Sequence, residues 1–149
     1  MIKQFIKILF FDGYWTCNDV QQNRDHLFIF GDNNLHIGKG GQAIIRDEWN
    51  TEGIPTKKVP RNYEFAFYSD EDYDENCYKI FEAINIIKKR LLRERYKVIV
   101  LPEDGFGTGL AQLSKRAPLT FKYLNRKVKE LLQDIGRNKL FQDHYKRLL

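Results

Sequence analysis

One short run in the chain lacks the polar alternation of a half-exposed strand: "KVIVLP" (97–102) is apolar after its first residue. A strand that reads this way is buried on both faces, which demands a covering layer on each side of a sheet. "HLFIFGD" (26–32) is a short apolar run bounded by turn formers and reads as a second strand. Between them lies the strongest helical pattern, "SDEDYDENCYKIFEAINIIKKRLLRE" (69–94), in which Cys77, Phe81, Ile84, Ile87 and Leu91 recur every three or four residues. Ser69 or Asp70 can cap it, acidic residues fill its first turns, and Lys88, Lys89 and Arg90 sit near its end, all in accord with the helix dipole. "QFIKILFF" (4–11) reads as another strand, and "EGIPTKKVP" (52–60) as a short extended piece, because Pro55 and Pro60 oppose helix. "GQAIIRDEW" (41–49) reads as a short helix with Ala43, Ile44 and Ile45 inward. "PLTFKYLNRKVKELLQDIG" (118–136) reads as a longer helix with Gly136 near its end, and the tail 137–149 is a candidate for one more. Strands alternating with helices predict an α/β domain: a three-layer α/β/α sandwich with a mixed sheet.

Length and composition agree with one packed domain over residues 1–149, with 42% hydrophobic and 30% charged residues. No apolar run reaches the roughly 18–20 residues of a membrane span. The apolar start is interrupted by Lys7 and lacks a small-residue cleavage site, so a cytoplasmic protein is expected. Cys17 and Cys77 lie far apart with no paired spacing, and His26, His36 and His144 are scattered, so neither a metal site nor a disulfide framework is expected. Cys77 reads as a buried thiol. The net charge of +5 sits largely in "IIKKRLLRERYK" and "NRKVKELLQDIGRNK", where solvated helix faces account for it. A nucleic acid or other phosphate-rich partner is the alternative. The chain is expected to act as a monomer without a resident cofactor.

Chemistry in such folds collects at the carboxyl ends of strands. Three segments rich in glycine or lysine follow predicted strands here. The first, "FGDNNLHIGKGGQA" (30–43), holds Gly31, Gly38, Gly40 and Gly41 beside Asp32, Asn33, Asn34, Lys39 and Gln42. Glycines allow successive backbone N–H groups to turn toward an anion, and a helix starting near Gly41 adds its positive end. Asp32 and the asparagines suit ribose hydroxyls or a base edge. A sharp turn using the same residues is the bland alternative. The second, "VLPEDGFGTGLAQL" (100–113), alternates Gly105, Gly107 and Gly109 with Phe106 and Thr108; it fits neither the dinucleotide fingerprint nor a Walker loop. The third, "GIPTKK" (53–58), presents Thr56 and Lys57, and a desolvated lysine can act as a nucleophile. His36, Arg46 and Arg116 are further candidates for phosphate contact, and Phe106 for stacking on ribose or adenine. Trp15, Trp49, Phe67 and Tyr68 read as core.

The order strand–"GDNN…GKGGQA"–"GIPTKK"–long helix–"VIVLPEDGFGTGLAQL"–helix, over roughly residues 26–134, resembles a macro domain, the ADP-ribose-binding α/β/α sandwich. It is most similar to the branch that removes ADP-ribose from DNA or from carboxylate side chains. It also resembles a compact family of macro-like proteins from bacteria and their phages. The resemblance implies that Asn33 or Asn34 orients the distal ribose, that Gly38-Lys39-Gly40 opens a helix toward the ligand, and that Lys57 attacks the ribose. It further implies that Gly105–Gly109 hold the diphosphate. One departure stands out. The hydrolytic branch usually carries an acidic residue just after the late glycine loop, whereas "GTGLAQL" has none; Asp104 and Glu103 precede the loop instead. Three expectations follow. The chain is an ADP-ribosyl hydrolase using Lys57, Asn34 and Asp104, acting on modified nucleic acid or protein. Alternatively it binds ADP-ribose or a signalling nucleotide without chemistry, or it is a basic nucleic-acid-binding protein whose glycine loops only turn.

Overall fold

A computed structural model describes residues 5–137. Four strands, β1 (Lys7–Phe11), β2 (His26–Asn33), β3 (Thr51–Lys57) and β4 (Val98–Pro102), form one sheet in the order β1-β4-β2-β3. Every pairing between them is parallel. The expected mixed sheet is therefore corrected to a parallel one. The sole antiparallel pairing among the described residues is the isolated bridge between Lys57 and Phe67. The reason is that each connection carries a helical segment, and a crossover of that length returns the chain to start the next strand in the same direction.

The run 97–102 forms an interior strand as expected, and β2 is the other interior strand. β4 inserts between β1 and β2, and Ile99, Val100 and Leu101 are buried, as are Leu27, Phe28, Ile29 and Phe30 of β2. Side chains alternate across the sheet into two clusters. Leu27, Ile29, Ile54, Ile99 and Leu101 meet the buried stripes of α2 (Tyr73–Arg93) and α4 (Pro118–Gly136). Phe28, Phe30 and Val100 meet Trp15, Val20 of α1 (Cys17–Gln21), and Ala43 and Ile45 of a 3-10 turn, Gly41–Ile45. The architecture is thus α/β with helical cover on both faces, one layer thick and the other thin.

Local details depart from expectation for identifiable reasons. The inward face of α2 runs through Ile80, Ile84, Ile87 and Leu91, while Phe81 is half-exposed. A 3-10 turn replaces the expected helix over 41–49, and its different period turns Ile44 outward. Trp15, Phe67 and Tyr68 are core, but Trp49 is exposed. α1 was not anticipated; Thr16 and Asp19 hold it with a reciprocal capping box. A second short helix, α3 (Leu113–Arg116), follows the late glycine segment. The extended piece expected over 52–60 is β3, and Pro55 sits there on an edge strand, where a missing N–H is tolerated. The helix expected over the tail, and His144, lie outside the described residues. Among those described, no helix is long and apolar enough to cross a membrane, and no group of three His, Cys, Asp or Glu is placed to hold a metal ion.

The cap of the long predicted helix is split between two residues. Ser69 Oγ accepts the Glu71 N–H at the head of a 3-10 turn, Asp70–Asp72, that leads into α2. Asp70 turns away and caps α4 instead. Its carboxylate accepts the backbone N–H groups of Leu119 (2.9 Å) and Thr120 (3.0 Å) and the Thr120 hydroxyl (2.9 Å). α4 begins at Pro118 with no cap of its own, so this carboxylate ties the two long helices together at one end. Burial alone would raise the Asp70 carboxyl, but the three donors outweigh it and hold the group below its ordinary value of 3.8. A depressed carboxylate stabilises the fold above that ordinary value and loses its contribution as pH falls through the lower, folded-state value. Asp70→Ala is expected to cost about 1–2 kcal/mol at neutral pH. The difference from the native protein, read as urea midpoints, should shrink on acidification below about pH 4. An equal difference at pH 7 and pH 3 would remove the role given to the ionised carboxylate.

Candidate functional site

A parallel sheet sends all its carboxyl ends to one side, so the loops after β2, β3 and β4 emerge together. The loops after the neighbours β2 and β4 then leave toward opposite faces, one into the 3-10 turn and the other into α3 and α4. Gln42 spans the gap between them. Its Oε1 accepts the Gly31 N–H (2.8 Å) and its Nε2 donates to the Gly105 carbonyl (3.1 Å). Leu110 of the late loop reaches the first loop as well: a Cβ placed on Gly41 would lie 3.6 Å from its Cδ1. The two glycine-rich segments singled out in the sequence are therefore one continuous surface.

The first loop is shaped by side chains that sequence reasoning assigned to a ligand. Asp32 is buried, and its Oδ1 accepts from the Asn33 N–H (2.7 Å) and from Arg46 (2.5 Å), while Oδ2 meets His36 Nδ1 at 2.9 Å. Arg46 also donates to the carbonyls of Gly38 (2.8 Å) and Ile37 (3.1 Å) and lies over the Phe30 ring. Asn33 donates to the Ile37 carbonyl (2.7 Å) and accepts the Leu35 N–H (3.0 Å). The hydroxyl of Thr56, also buried, donates to the Asp32 carbonyl at a register shift in the β2–β3 ladder. Lys39 is exposed and paired with Asp47. Asp32, Asn33, Thr56, His36 and Arg46 thus hold the path of the loop.

What these groups leave open is backbone. From Ile37 to Gln42, six successive N–H groups have no acceptor among the described residues. The late loop does the same: Gly105 N–H bonds back to Pro102 and Gln112 N–H to Gly109, but the N–H groups from Phe106 to Ala111 have no acceptor among the described residues. Runs of unpaired N–H groups in such turns are the backbone form of an anion site. Within this loop the residues differ in kind. Phe106 is buried in the main core, so its ring is packing rather than a stacking face. Gly107 has φ +75, and a Cβ there would lie 2.7 Å from the Leu113 Cβ. Gly109 faces open space, and Thr108 donates to the Asp104 carbonyl at 3.1 Å.

Lys57 ends β3 and is buried, unlike most lysines. Its Nζ donates to the Arg61 carbonyl (2.6 Å) and lies 4.5 Å from the Phe67 ring centre. The Arg116 guanidinium stacks 3.7 Å over the same ring and is paired with Glu64. Burial lowers the Lys57 amine from its ordinary value, and the Arg116 charge lowers it further. Arg116 is therefore held in this cluster by the Phe67 ring and Glu64. Asn34 donates its N–H to the Lys57 carbonyl (3.0 Å), and its Oδ1 accepts the Tyr68 hydroxyl (2.5 Å); its side chain lines a small recess between β3 and α2. The Asn34 Nδ2 makes no hydrogen bond among the described residues. Asp104 is exposed, and its carboxylate makes no ion pair or hydrogen bond among them. Glu103 beside it is raised, chiefly by the negative charge of Asp12. Among the described residues no carboxylate hydrogen-bonds to Lys57. One contact had no local signal at all: Trp15 Nε1 donates to the Gln42 carbonyl (2.9 Å) across 27 residues.

The split between framework and open glycine is measurable. Gly107→Ala, with positive φ and a core collision, should destabilise by about 2–4 kcal/mol. Gly109→Ala should stay within about 0.5 kcal/mol of the native protein in urea unfolding. Equal effects would contradict this division of the loop.

Comparisons with known proteins bear on this site only through its family. No curated protein and no solved structure matches the chain. One family model does match, that of the family of unknown function DUF7831, over residues 10–127. The matched span includes both glycine loops, Gln42, Lys57 and all of β2 to β4. The chain belongs to the DUF7831 family.

Proposed function

We propose that the two-loop cradle binds ADP-ribose or a closely related nucleotide, and that Lys57 enables it to cleave ADP-ribosyl linkages on nucleic acid or protein. The observation that carries this reading is the pair of adjoining runs of unpaired N–H groups, Ile37–Gln42 and Phe106–Ala111. A diphosphate offers acceptor oxygens to both. In the macro domain-like scheme that the motif order suggested, the Lys57 amine bonds to the distal ribose carbon as that carbon's bond to the macromolecule breaks. The leaving atom takes up a proton. Water then releases ADP-ribose and returns the amine. A lowered amine pKa favours this step, because only the unprotonated form attacks. The Asn34 side-chain NH2 group is available to a ribose hydroxyl.

A second reading is favoured by one feature: among the described residues no carboxylate pairs with Lys57, and its amine is held by the Arg61 carbonyl. On this reading the cradle holds the nucleotide intact.

Calorimetry with ADP-ribose and a release assay on ADP-ribosylated oligonucleotide and protein separate the two. The hydrolase reading expects ADP-ribose binding in native protein and in Lys57→Ala within about threefold, with release lost only in the variant. Its rate should rise with pH through an apparent value below the 10.5 of an ordinary lysine. Binding with the linkage left intact supports the second reading. Equal turnover by Lys57→Ala removes the role of the lysine, and absence of ADP-ribose binding removes both readings.

A further inference from the structure

Among the described residues Gln42 is the single side chain that hydrogen-bonds both glycine segments. Three features make its position specific. Its main-chain carbonyl is fixed by Trp15 Nε1, so the side chain starts from a pinned point. Gly31 leaves little room: a Cβ there would approach Gln42 Oε1 to 3.2 Å. The two ends of the bridge also need opposite chemistry, an acceptor for the Gly31 N–H and a donor for the Gly105 carbonyl. A primary amide supplies both at once; a carboxylate supplies only acceptors, and an aliphatic side chain neither. The residue before the gap thus joins the run Ile37–Gln42 to the run that starts at Phe106, one residue beyond the carbonyl it holds.

We propose that Gln42 is a positioning residue: it sets the spacing of the two N–H runs so that one diphosphate engages both, without itself contacting the ligand. The proposal rests on the phosphate-binding reading of the cradle and not on any chemistry at Lys57. A ligand that spans both loops depends on their spacing, whereas one that occupies a single loop does not.

The test uses inorganic pyrophosphate and inorganic phosphate as probes, with ADP-ribose in parallel. Backbone amide resonances of 37–42 and 106–111 are followed by NMR in native protein, Gln42→Glu and Gln42→Leu. Circular dichroism confirms that each variant is folded. In native protein pyrophosphate should shift amides of both loops. In both variants its affinity should fall at least tenfold, while that for phosphate changes less than threefold. A merely structural loss would weaken the two probes alike, and that result overturns the proposal. So does pyrophosphate binding unchanged in Gln42→Leu, or pyrophosphate engaging one loop or neither in native protein. Native protein that binds pyrophosphate across both loops but not ADP-ribose would sink the proposed nucleotide and leave the role of Gln42 standing. If Gln42→Leu destroys the fold, the same comparison is made with the nearly isosteric Gln42→Glu.

Discussion

The first glycine loop depends on one buried carboxylate. Asp32 lies at the end of an interior strand with almost no exposure, and an unpaired charge there would cost several kcal/mol. Arg46 is its chief partner, and Arg46 in turn holds the Gly38 and Ile37 carbonyls. The ion pair thereby fixes the path of the loop rather than merely neutralising a charge. Gly53 on the neighbouring strand makes the arrangement possible, since a Cβ there would lie 2.7 Å from the Asp32 Cβ. His36, at φ +58, completes the turn by meeting the second carboxylate oxygen. Side chains satisfied by one another in this way leave the loop's N–H groups as its free valences.

The same pairing of side chains extends beyond the first loop. Arg46, Arg116, Lys39 and Lys58 are paired with Asp32, Glu64, Asp47 and Asp72. A surface built to neutralise many phosphates would leave such cations free to displace counterions. In the proposed cradle the attraction for an anion would come from backbone dipoles instead. Dipoles of this kind favour a small, well-placed phosphate group over an extended charged chain.

The fold was readable where burial alone decides. "KVIVLP" has no polar alternation because it is an interior strand, and the 118–136 helix appears with its expected limits because its apolar stripe and Pro118 mark it unambiguously. Strand direction was not readable, because it is set by where each crossover returns and not by any local pattern. The site was legible as to place but not as to role. Glycine clusters reported that the chain turns at strand ends. They could not report that Asp32, Asn33 and Thr56 would be consumed by the turn, since those bonds depend on Arg46 and on the register shift beside Lys57. Phe106 was misassigned for a related reason: an aromatic residue between two glycines looks exposed, yet the turn folds its ring into the core. Gln42 carried no signal beyond its membership of the loop, because its partners lie 11 and 63 residues away.

Lys57 is the place where the structural and chemical demands on the site meet. Its register opposite Asn33 follows from the same irregularity that buries Thr56, so the geometry that closes the first loop also withdraws the lysine from solvent. Withdrawal makes the amine easier to deprotonate, and Phe67 presents a ring face that it shares with Arg116. A lysine kept only for solubility would extend into water at no cost. One held under a loop, hydrogen-bonded to a carbonyl and crowded by a second cation, carries a desolvation cost that packing alone does not require. An aliphatic side chain would fill that position more favourably. On the proposed reading that cost is met by the chemistry of the amine, at the end of a strand whose neighbour, β2, leads into the first glycine loop.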